Sequence, residues 1–211
     1  MEIEPKKIKI KELISNYEDN NEEGVVGYGR KLNIRPPYQR EFIYDEKKRE
    51  AVLDTVFKGH PLNSIYWAVT KDDKYEVIDG QQRIISICQY CESDFSINGK
   101  YYHSLQPDQQ EKILDYELTV YFCSGTDSEK LAWFETINIA GAILTPQELK
   151  NATFSGPWVT DAKRYFSKRG CVAYNKAADY LAGTAIRQEY LETAINWISN
   201  GNIKEYMSSH H

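Results

Sequence analysis

The chain has 211 residues, of which 41% are hydrophobic, and its formal net charge at neutral pH is −5. This length fits one domain, or one domain with an extension, and the apolar content is enough for a core, which excludes wholesale disorder. The acidic balance argues against a module that is basic over its whole surface and binds nucleic acid, although it leaves room for a local basic cleft.

Features that report on cellular location are the N-terminus, the hydropathy and the cysteines. The N-terminal segment MEIEPKKIKIKELI is charged throughout and lacks the apolar segment of a signal peptide. No run approaches the roughly 18 apolar residues of a membrane helix. The four cysteines contain one CxxC pair, Cys88 and Cys91, without a second pair to complete a zinc site. We therefore expect a cytoplasmic protein with reduced, mostly buried thiols and no membrane partner.

The N-terminal part of the chain alternates strand and helix patterns. Residues 8–15 favour a short strand or an entry helix, and residues 25–35 favour a strand or hairpin. Apolar spacing over residues 46–58 predicts a helix with Asp45 as its N-cap. SIYWAVT and YEVID predict two antiparallel strands joined by the turn KDDK. A helix is expected to follow from about 81 to 92.

Further along, turn and helix signals continue to about residue 125 and then become helical throughout. Asn98 and Gly99 predict a hairpin within residues 94–102. SLQPDQQEKILDY predicts a short helix with Pro107 near its start, and ELTVYFCS predicts a strand. A helix is expected at 127–138, and a second one begins after Thr145, which is its N-cap. Further helices are expected at 157–168, 174–182 and 186–199.

The predicted fold class is α+β: a small mixed sheet with helices, followed by an all-helical part. The division falls into residues 1–125, a mixed α/β domain, and residues 126–211, a helical extension.

The sequence DGQQR, residues 79–83, lies at the expected junction between strand YEVID and the following helix. Gly80 permits a sharp turn and a close approach of a ligand to the backbone. Gln81, Gln82 and Arg83 fall in the first helical turn, where an anion is favoured, and Arg83 can clamp phosphate oxygens. Asp79 repels a phosphate unless a metal bridges them, which indicates Mg²⁺ with Asp79 as its protein ligand.

A simpler interpretation of the same residues stays open. Asp79 can cap the helix while Arg83 pairs with it at the i+4 position. A second QR pair, Gln39 and Arg40, follows an extended proline segment and Tyr38. The two QR pairs suit convergence on one anionic group, although Arg40 and Arg83 can also be two unrelated surface arginines.

The combination of these segments resembles the N-terminal domain family of GmrSD-type restriction endonucleases. The resemblance rests on IRPPYQREFIYDEKKREAVLDTVFKGHPLNSIYWAV, on YEVIDGQQRIISICQY and on FETINIAGAILTPQELKNATFSG, in that order, and spans roughly residues 30–200. It implies a ParB/sulfiredoxin-like core in which DGQQR binds and hydrolyses an NTP. Gln39 and Arg40 match the upstream QR signature, and Asn138 with Gly141 matches an element that closes the site. Ile84 and Ile85 depart from the family's usual Leu-Thr, with Ser86 as the nearest hydroxyl.

In complete members of this family, DNA cleavage belongs to a separate His-Asn-His (HNH) nuclease domain. None of the four histidines here lies in a cysteine-paired hairpin. The resemblance therefore implies the nucleotide-sensing part of a modification-dependent restriction system for phage defence. Its cofactors would be Mg²⁺ and an NTP, with a nuclease domain in cis or in trans and DNA bound through the full-length enzyme.

Two other function classes remain open. A non-catalytic DNA-binding module of the ParB type would use the same arginines on the DNA backbone, and steep salt dependence would mark it. An antitoxin-like or scaffolding protein would bind no nucleotide and would gain no stability from one. The aromatic residues Tyr38, Tyr66 and Trp67 can stack a base or can pack in the core.

Overall fold

The computed structural model of the protein describes residues 1–20, 24–36, 46–139, 146–154, 156–167, 170–181, 183–185 and 188–210. The chain divides into two compact units. The first contains the described residues up to 36 and from 46 to 130, and the second contains the described residues from 131 onward. The sequence-based domain boundary at residue 125 stays a prediction, because a compact unit is not thereby a domain that folds alone.

Strands of the first unit pair into one mixed sheet. The described strands are β1 (Glu2–Lys9), β2 (Glu18–Asp19), β3 (Val25–Gly27), β4 (Leu32–Asn33), β5 (Ile65–Val69), β6 (Tyr75–Asp79) and β7 (Glu117–Ser124), in the spatial order β1-β7-β5-β6-β4-β3-β2. The β5–β7 and β4–β6 pairs are parallel, and the other neighbours are antiparallel. β5 and β6 therefore lie inside the sheet, where both of their edges are hydrogen-bonded.

The core of the sheet is built from aromatic and β-branched side chains that alternate along the strands. Trp67 on β5 is fully buried, and its ring lies edge-on to Tyr28 and Phe122 with centroids 5.2 and 5.3 Å apart. Tyr75 on β6 adds a third aromatic contact at 5.8 Å. Edge-to-face packing of this kind adds to the stabilisation from area burial. Tyr28 and Tyr75 are half-buried, so they cover the edge of this core around Trp67.

Four helices are described before residue 115: α1 (Ile10–Leu13), α2 (Glu46–Lys58), α3 (Gln81–Cys91) and α4 (Pro107–Leu114). Gly59, with φ of +67°, ends α2 in the left-handed conformation common at helix C-termini. Pro107 occupies the first turn of α4, where its missing N–H costs nothing. The buried face of α3 contains three isoleucines, Ile84, Ile85 and Ile87.

The second unit is helical. Its described helices are the greater part of α5 (Asp127–Ile139), then α6 (Pro146–Thr153), α7 (Pro157–Phe166), α8 (Val172–Ala177), α9 (Glu189–Ile198) and α10 (Ile203–Ser209). Val159, Leu191, Ile195 and Met207 form one apolar cluster. A buried polar chain lies in the same unit: Gln147 donates to Asn151 at 2.8 Å, and Asn151 donates to Gln188 at 3.0 Å.

The predicted fold class is confirmed: a mixed sheet with helices precedes a helical part. The helix over 46–58, the strand pair before DGQQR, the helix after it and the strand ELTVYFCS are also confirmed. The Asn98–Gly99 turn is confirmed, because an antiparallel bridge between Ile97 and Lys100 closes it, although this bridge is not extended into two strands. Asp45 and Thr145 lie outside the described residues. The sequence did not predict that β1 begins at Glu2, nor that α10 exists.

Candidate phosphate-binding junction

The five residues of DGQQR lie where β6 ends and α3 begins, as predicted. Asp79 is the last residue of β6, Gly80 is the N-cap of α3, and the helix starts at Gln81. The register of β5 against β6 shifts between Tyr66 and Trp67, which leaves one extra residue on β6 just before the motif. Such bulges bend a strand and re-aim its next side chain, and they are enriched beside functional sites.

Gly80 is required at this junction for two physical reasons. Its φ of +101° lies in a region that side-chain-bearing residues rarely adopt. A Cβ at this position would lie 2.9 Å from Cγ1 and 3.0 Å from Cγ2 of Ile65, so that the Ile65 side chain would have to move. The turn is therefore both left-handed and pressed against β5.

Arg83 ties the junction together through three hydrogen bonds. Its Nη2 donates to Oδ2 of Asp79 at 2.6 Å, an i,i+4 ion pair. Its Nη1 donates to the backbone carbonyls of Asn63 and Ser64, the latter at 3.1 Å, in the segment that leads into β5. The Arg83 side chain is only 17% exposed and the Asp79 side chain 34%. The ion pair that the sequence left open is thus present, whereas the helix cap is Gly80 and not Asp79. Arg83 also anchors the start of β5.

The first turn of α3 offers donors for an anion. The first intrahelical bond runs from the N–H of Ile84 to the carbonyl of Gly80 at 2.9 Å, so the N–H groups of the preceding turn have no intrahelical acceptor. Gln81 is 4% exposed, and its amide Nε2 has no hydrogen-bond partner among the described residues. A buried amide without a partner costs free energy unless a ligand or water satisfies it.

Other polar groups of α3 are used inside the protein. The buried hydroxyl of Ser86 donates to the carbonyl of Gln82 at 2.7 Å. This bond uses the hydroxyl proton within the helix, one turn beyond DGQQR. Ser86 therefore does not replace the family's threonine as a donor at the junction, and Gln81, Gln82 and Arg83 remain its polar side chains.

Two tyrosines lie beside the ion pair. Tyr66 on β5 is paired in register with Asp79 on β6 and with Tyr121 on β7. The two phenol rings stack with centroids 5.1 Å apart and an interplanar angle of 15°. Burial raises the pKa of Tyr66, and Tyr121 and Asp79 add to the increase while Arg83 opposes it. The sequence had already offered Tyr66 for base stacking or core packing, whereas Tyr121 was not foreseen, because only the pairing of β5 with β7 brings it beside Tyr66.

The remaining predicted site residues are not brought to this junction by any described contact. Gln39 and Arg40 lie outside the described residues, as do Tyr38, Gly141 and the side chain of Asn138. The expected meeting of Arg40 with Arg83 therefore stays a prediction. Trp67 is a core residue, which decides between its two predicted uses. The carbonyls of Asn63 and Ser64, which bind Arg83, were not foreseen because backbone acceptors leave no trace in a sequence.

The described part of the chain was also searched for metal-binding groups, membrane-spanning helices and disulfide bonds. No group of three or more His, Cys, Asp or Glu side chains in these residues is arranged to hold a metal ion. None of the helices described here combines the length and the hydropathy needed to cross a bilayer. All four cysteines are free thiols, and three of them are buried, as expected.

The first unit is a mixed α/β fold with a glycine at its β6–α3 junction. Comparison with known families identifies the family to which the chain belongs. The sequence model of the GmrSD restriction endonuclease N-terminal domain matches residues 10–155. This is more than half of the chain, so the protein belongs to that family. Membership associates the chain with restriction systems. No curated protein and no solved structure matches it significantly.

Proposed function

We propose that this chain binds and hydrolyses an NTP at the β6–α3 junction and so regulates a nuclease domain in a GmrSD-like, modification-dependent restriction system. The observation that carries the proposal is the start of α3. There a left-handed glycine and backbone N–H groups without an intrahelical acceptor share one turn with Gln81, whose amide nitrogen has no partner in the described part of the chain. A phosphate bound at this turn would accept hydrogen bonds from the backbone N–H groups, and we propose that the Gln81 amide turns to donate to it as well.

The roles of the DGQQR side chains follow from their contacts. Gln81 and Gln82 supply neutral donors to phosphate oxygens. Arg83 uses three of its five N–H groups internally, and the other two are available to a phosphate. Its ion pair with Asp79 holds the guanidinium in place before the ligand arrives, which lowers the entropic cost of binding.

Asp79 is the group that fits a magnesium ion. The contact with Arg83 uses Oδ2, and Oδ1 has no described hydrogen bond. One carboxylate oxygen is enough for Mg²⁺, which takes most of its ligands from phosphate oxygens and water. Bound there, the ion would neutralise phosphate charge during transfer. Asp79 would hold it and orient the attacking water.

The partners follow from the family. The nuclease domain would be of the HNH type, in cis or in trans, and DNA would be bound by the full-length enzyme in the cytoplasm. We further propose a ParB/sulfiredoxin-like core, in which DGQQR would occupy the phosphate-binding place. Gln39, Arg40 and Asn138 would complete the pocket around the nucleotide. Regulation requires two conformations with different nucleotide affinity.

Titration of the purified protein tests the proposal. The measurement compares NTP with Mg²⁺ against duplex DNA at two salt concentrations, by calorimetry and thermal shift. We expect saturable NTP binding that raises the melting temperature, with weak DNA binding. DNA binding that falls steeply with salt, without an NTP effect, would instead favour the ParB-type DNA-binding module. A melting transition that no ligand moves would favour a scaffolding protein.

A further inference from the structure

We propose that Tyr66 and Tyr121 form the base-binding platform of the nucleotide site. This inference rests on the proposed function, because it assigns the part of the ligand that the phosphate donors leave unrecognised. The ligand class is a nucleoside triphosphate whose planar base stacks on phenol rings while its phosphates lie at the start of α3.

The sheet register sets the spacing between the two parts of the ligand. Asp79, Tyr66 and Tyr121 lie in one row across β6, β5 and β7. Neighbouring strands are about 4.8 Å apart, so the row extends about 10 Å from the carboxylate to the second ring. Directly paired residues share a face of the sheet, so the rings and the carboxylate project to the same side. A nucleotide can therefore contact the α3 turn and the rings together.

The rings of Tyr66 and Tyr121 are less buried than the aromatic residues of the core beside them. On the same strands, Trp67 is fully buried and Phe122 is 5% exposed. Tyr66 and Tyr121 alternate with them and are only half-buried. A parallel stack of two half-buried rings is a surface on which a third planar ring can continue the stack. Core packing alone does not require two half-buried rings to stack in parallel beside the proposed phosphate site.

Electrostatics support the same assignment. A tyrosine phenol loses its proton only at about pH 10, so at physiological pH the ring carries no charge that would repel an anionic ligand. Stacking on a neutral ring depends mainly on the size and polarisability of the base. The platform should therefore accept all bases and bind purines more tightly than pyrimidines.

The experiment compares two ligands on the same protein: ATP, and inorganic tripolyphosphate, which has the phosphates without a base. Both are titrated with Mg²⁺ into the wild type and into Tyr66→Leu and Tyr121→Leu. Tyr66→Phe and Tyr121→Phe keep the rings. Tyr101→Leu is the matched control, because Tyr101 also stacks, on His103 at 5.5 Å and 18°, and is 41% exposed.

We expect the two leucine variants to lose on the order of 10- to 100-fold in ATP affinity, with tripolyphosphate affinity unchanged. The phenylalanine variants and Tyr101→Leu should bind ATP like the wild type. Unchanged tripolyphosphate binding also shows that a leucine variant keeps its phosphate site folded.

Three results would overturn the platform. ATP affinity that the leucine variants leave intact would remove the rings from the ligand. Equal losses of ATP and tripolyphosphate would make the tyrosines structural supports of the phosphate site. Equal affinities of the wild type for the two ligands would show that no base is recognised, while the phosphate site itself stands. If the wild type binds neither ligand, the proposed function fails together with this inference.

Discussion

Asp79 and Arg83 form an ion pair with an N···O distance of 2.6 Å that joins the last residue of β6 to the first turn of α3. The same guanidinium binds the carbonyls of Asn63 and Ser64 ahead of β5. One side chain thus connects three segments around the junction. The carboxylate is also balanced by a positive charge where an anionic ligand is proposed to bind.

Replacing Arg83 with alanine should remove nucleotide binding and lower the free energy of unfolding by about 2 kcal/mol. The loss of stability arises because two backbone carbonyls and the partly buried carboxylate of Asp79 lose their donor. Urea unfolding measures the stability, and calorimetry well below the melting temperature measures ATP binding. Folded protein that still binds ATP with wild-type affinity would refute the assigned role of Arg83.

The control for that variant is Arg164→Ala. Arg164 makes an exposed pair with Asp161 at 3.8 Å, and both side chains are more than 60% exposed. Exposed pairs contribute about 0–1 kcal/mol, so this variant should unfold nearly like the wild type and bind ATP unchanged.

Gln81→Met should leave the melting temperature of the free protein unchanged or raise it, while reducing the stabilisation that ATP gives. Methionine has a similar volume, and it removes the buried amide nitrogen that has no partner among the described residues. Thermal shift with and without ATP and Mg²⁺ measures both effects. A variant that is clearly less stable in the absence of ligand would show that the amide has a structural role.

Gln110→Met provides the contrast. The amide of Gln110 donates to the carbonyls of Tyr102 and Leu105 at 3.1 and 3.3 Å. Removing a satisfied amide should lower the free energy of unfolding by about 1 kcal/mol and should leave the ATP-induced shift intact.

Gly80→Ala should lower the free energy of unfolding by about 1–3 kcal/mol, because the backbone is strained for any side chain and the new Cβ presses on Ile65. Gly59→Ala is the control, since Gly59 also has positive φ but open space around it. A double-mutant cycle with Ile65→Ala, which removes both contacting γ carbons, separates the two terms when it is measured in urea. We expect Gly80→Ala to cost less free energy of unfolding when residue 65 has the smaller side chain, with the cost of the strained backbone remaining. If the two substitutions are strictly additive, the contact between residue 80 and Ile65 is contradicted.

Stability should decline as the pH rises above about 9. Burial raises the pKa of Cys91 from 9.0 to about 12 and that of Cys123 from 9.0 to about 11. In the unfolded chain these thiols lose protons near pH 9, whereas the folded chain keeps them, so alkaline pH favours unfolding. The contribution is complete below pH 9 and is lost as the pH approaches the folded values.

Urea unfolding at pH 8, 9.5 and 10.5 checks this dependence. Cys91→Ala should show a smaller decline than the wild type, because one of the shifted groups is gone. The native thiols should also react slowly with iodoacetamide at pH 8 and quickly in urea, since the thiolate is the nucleophile. Fast labelling of Cys91 in the folded protein would contradict its raised pKa.

Local signals in the sequence were sufficient for most of the fold. The helix at 46–58 follows from apolar spacing, and β7 follows from a run of β-branched and aromatic residues. The glycine turn of DGQQR was also predictable, because few other residues fit a sharp strand-to-helix junction. β1 was missed in part because its first six residues, EIEPKK, are mostly charged and lack an apolar pattern. Its pairing is also set by β7, a strand more than 100 residues away.

The sequence by itself determined which residues belong to the junction, and the fixed chemistry of glycine, amides and guanidinium predicts an anionic ligand there. Only the tertiary structure decided how they are used. Pairing of β5 with both β6 and β7 brings Tyr66, Tyr121 and Asp79 into one row, and the chain before β5 supplies the carbonyls that hold Arg83. These contacts join residues far apart in the chain, and strand register is set by the packing of the whole sheet.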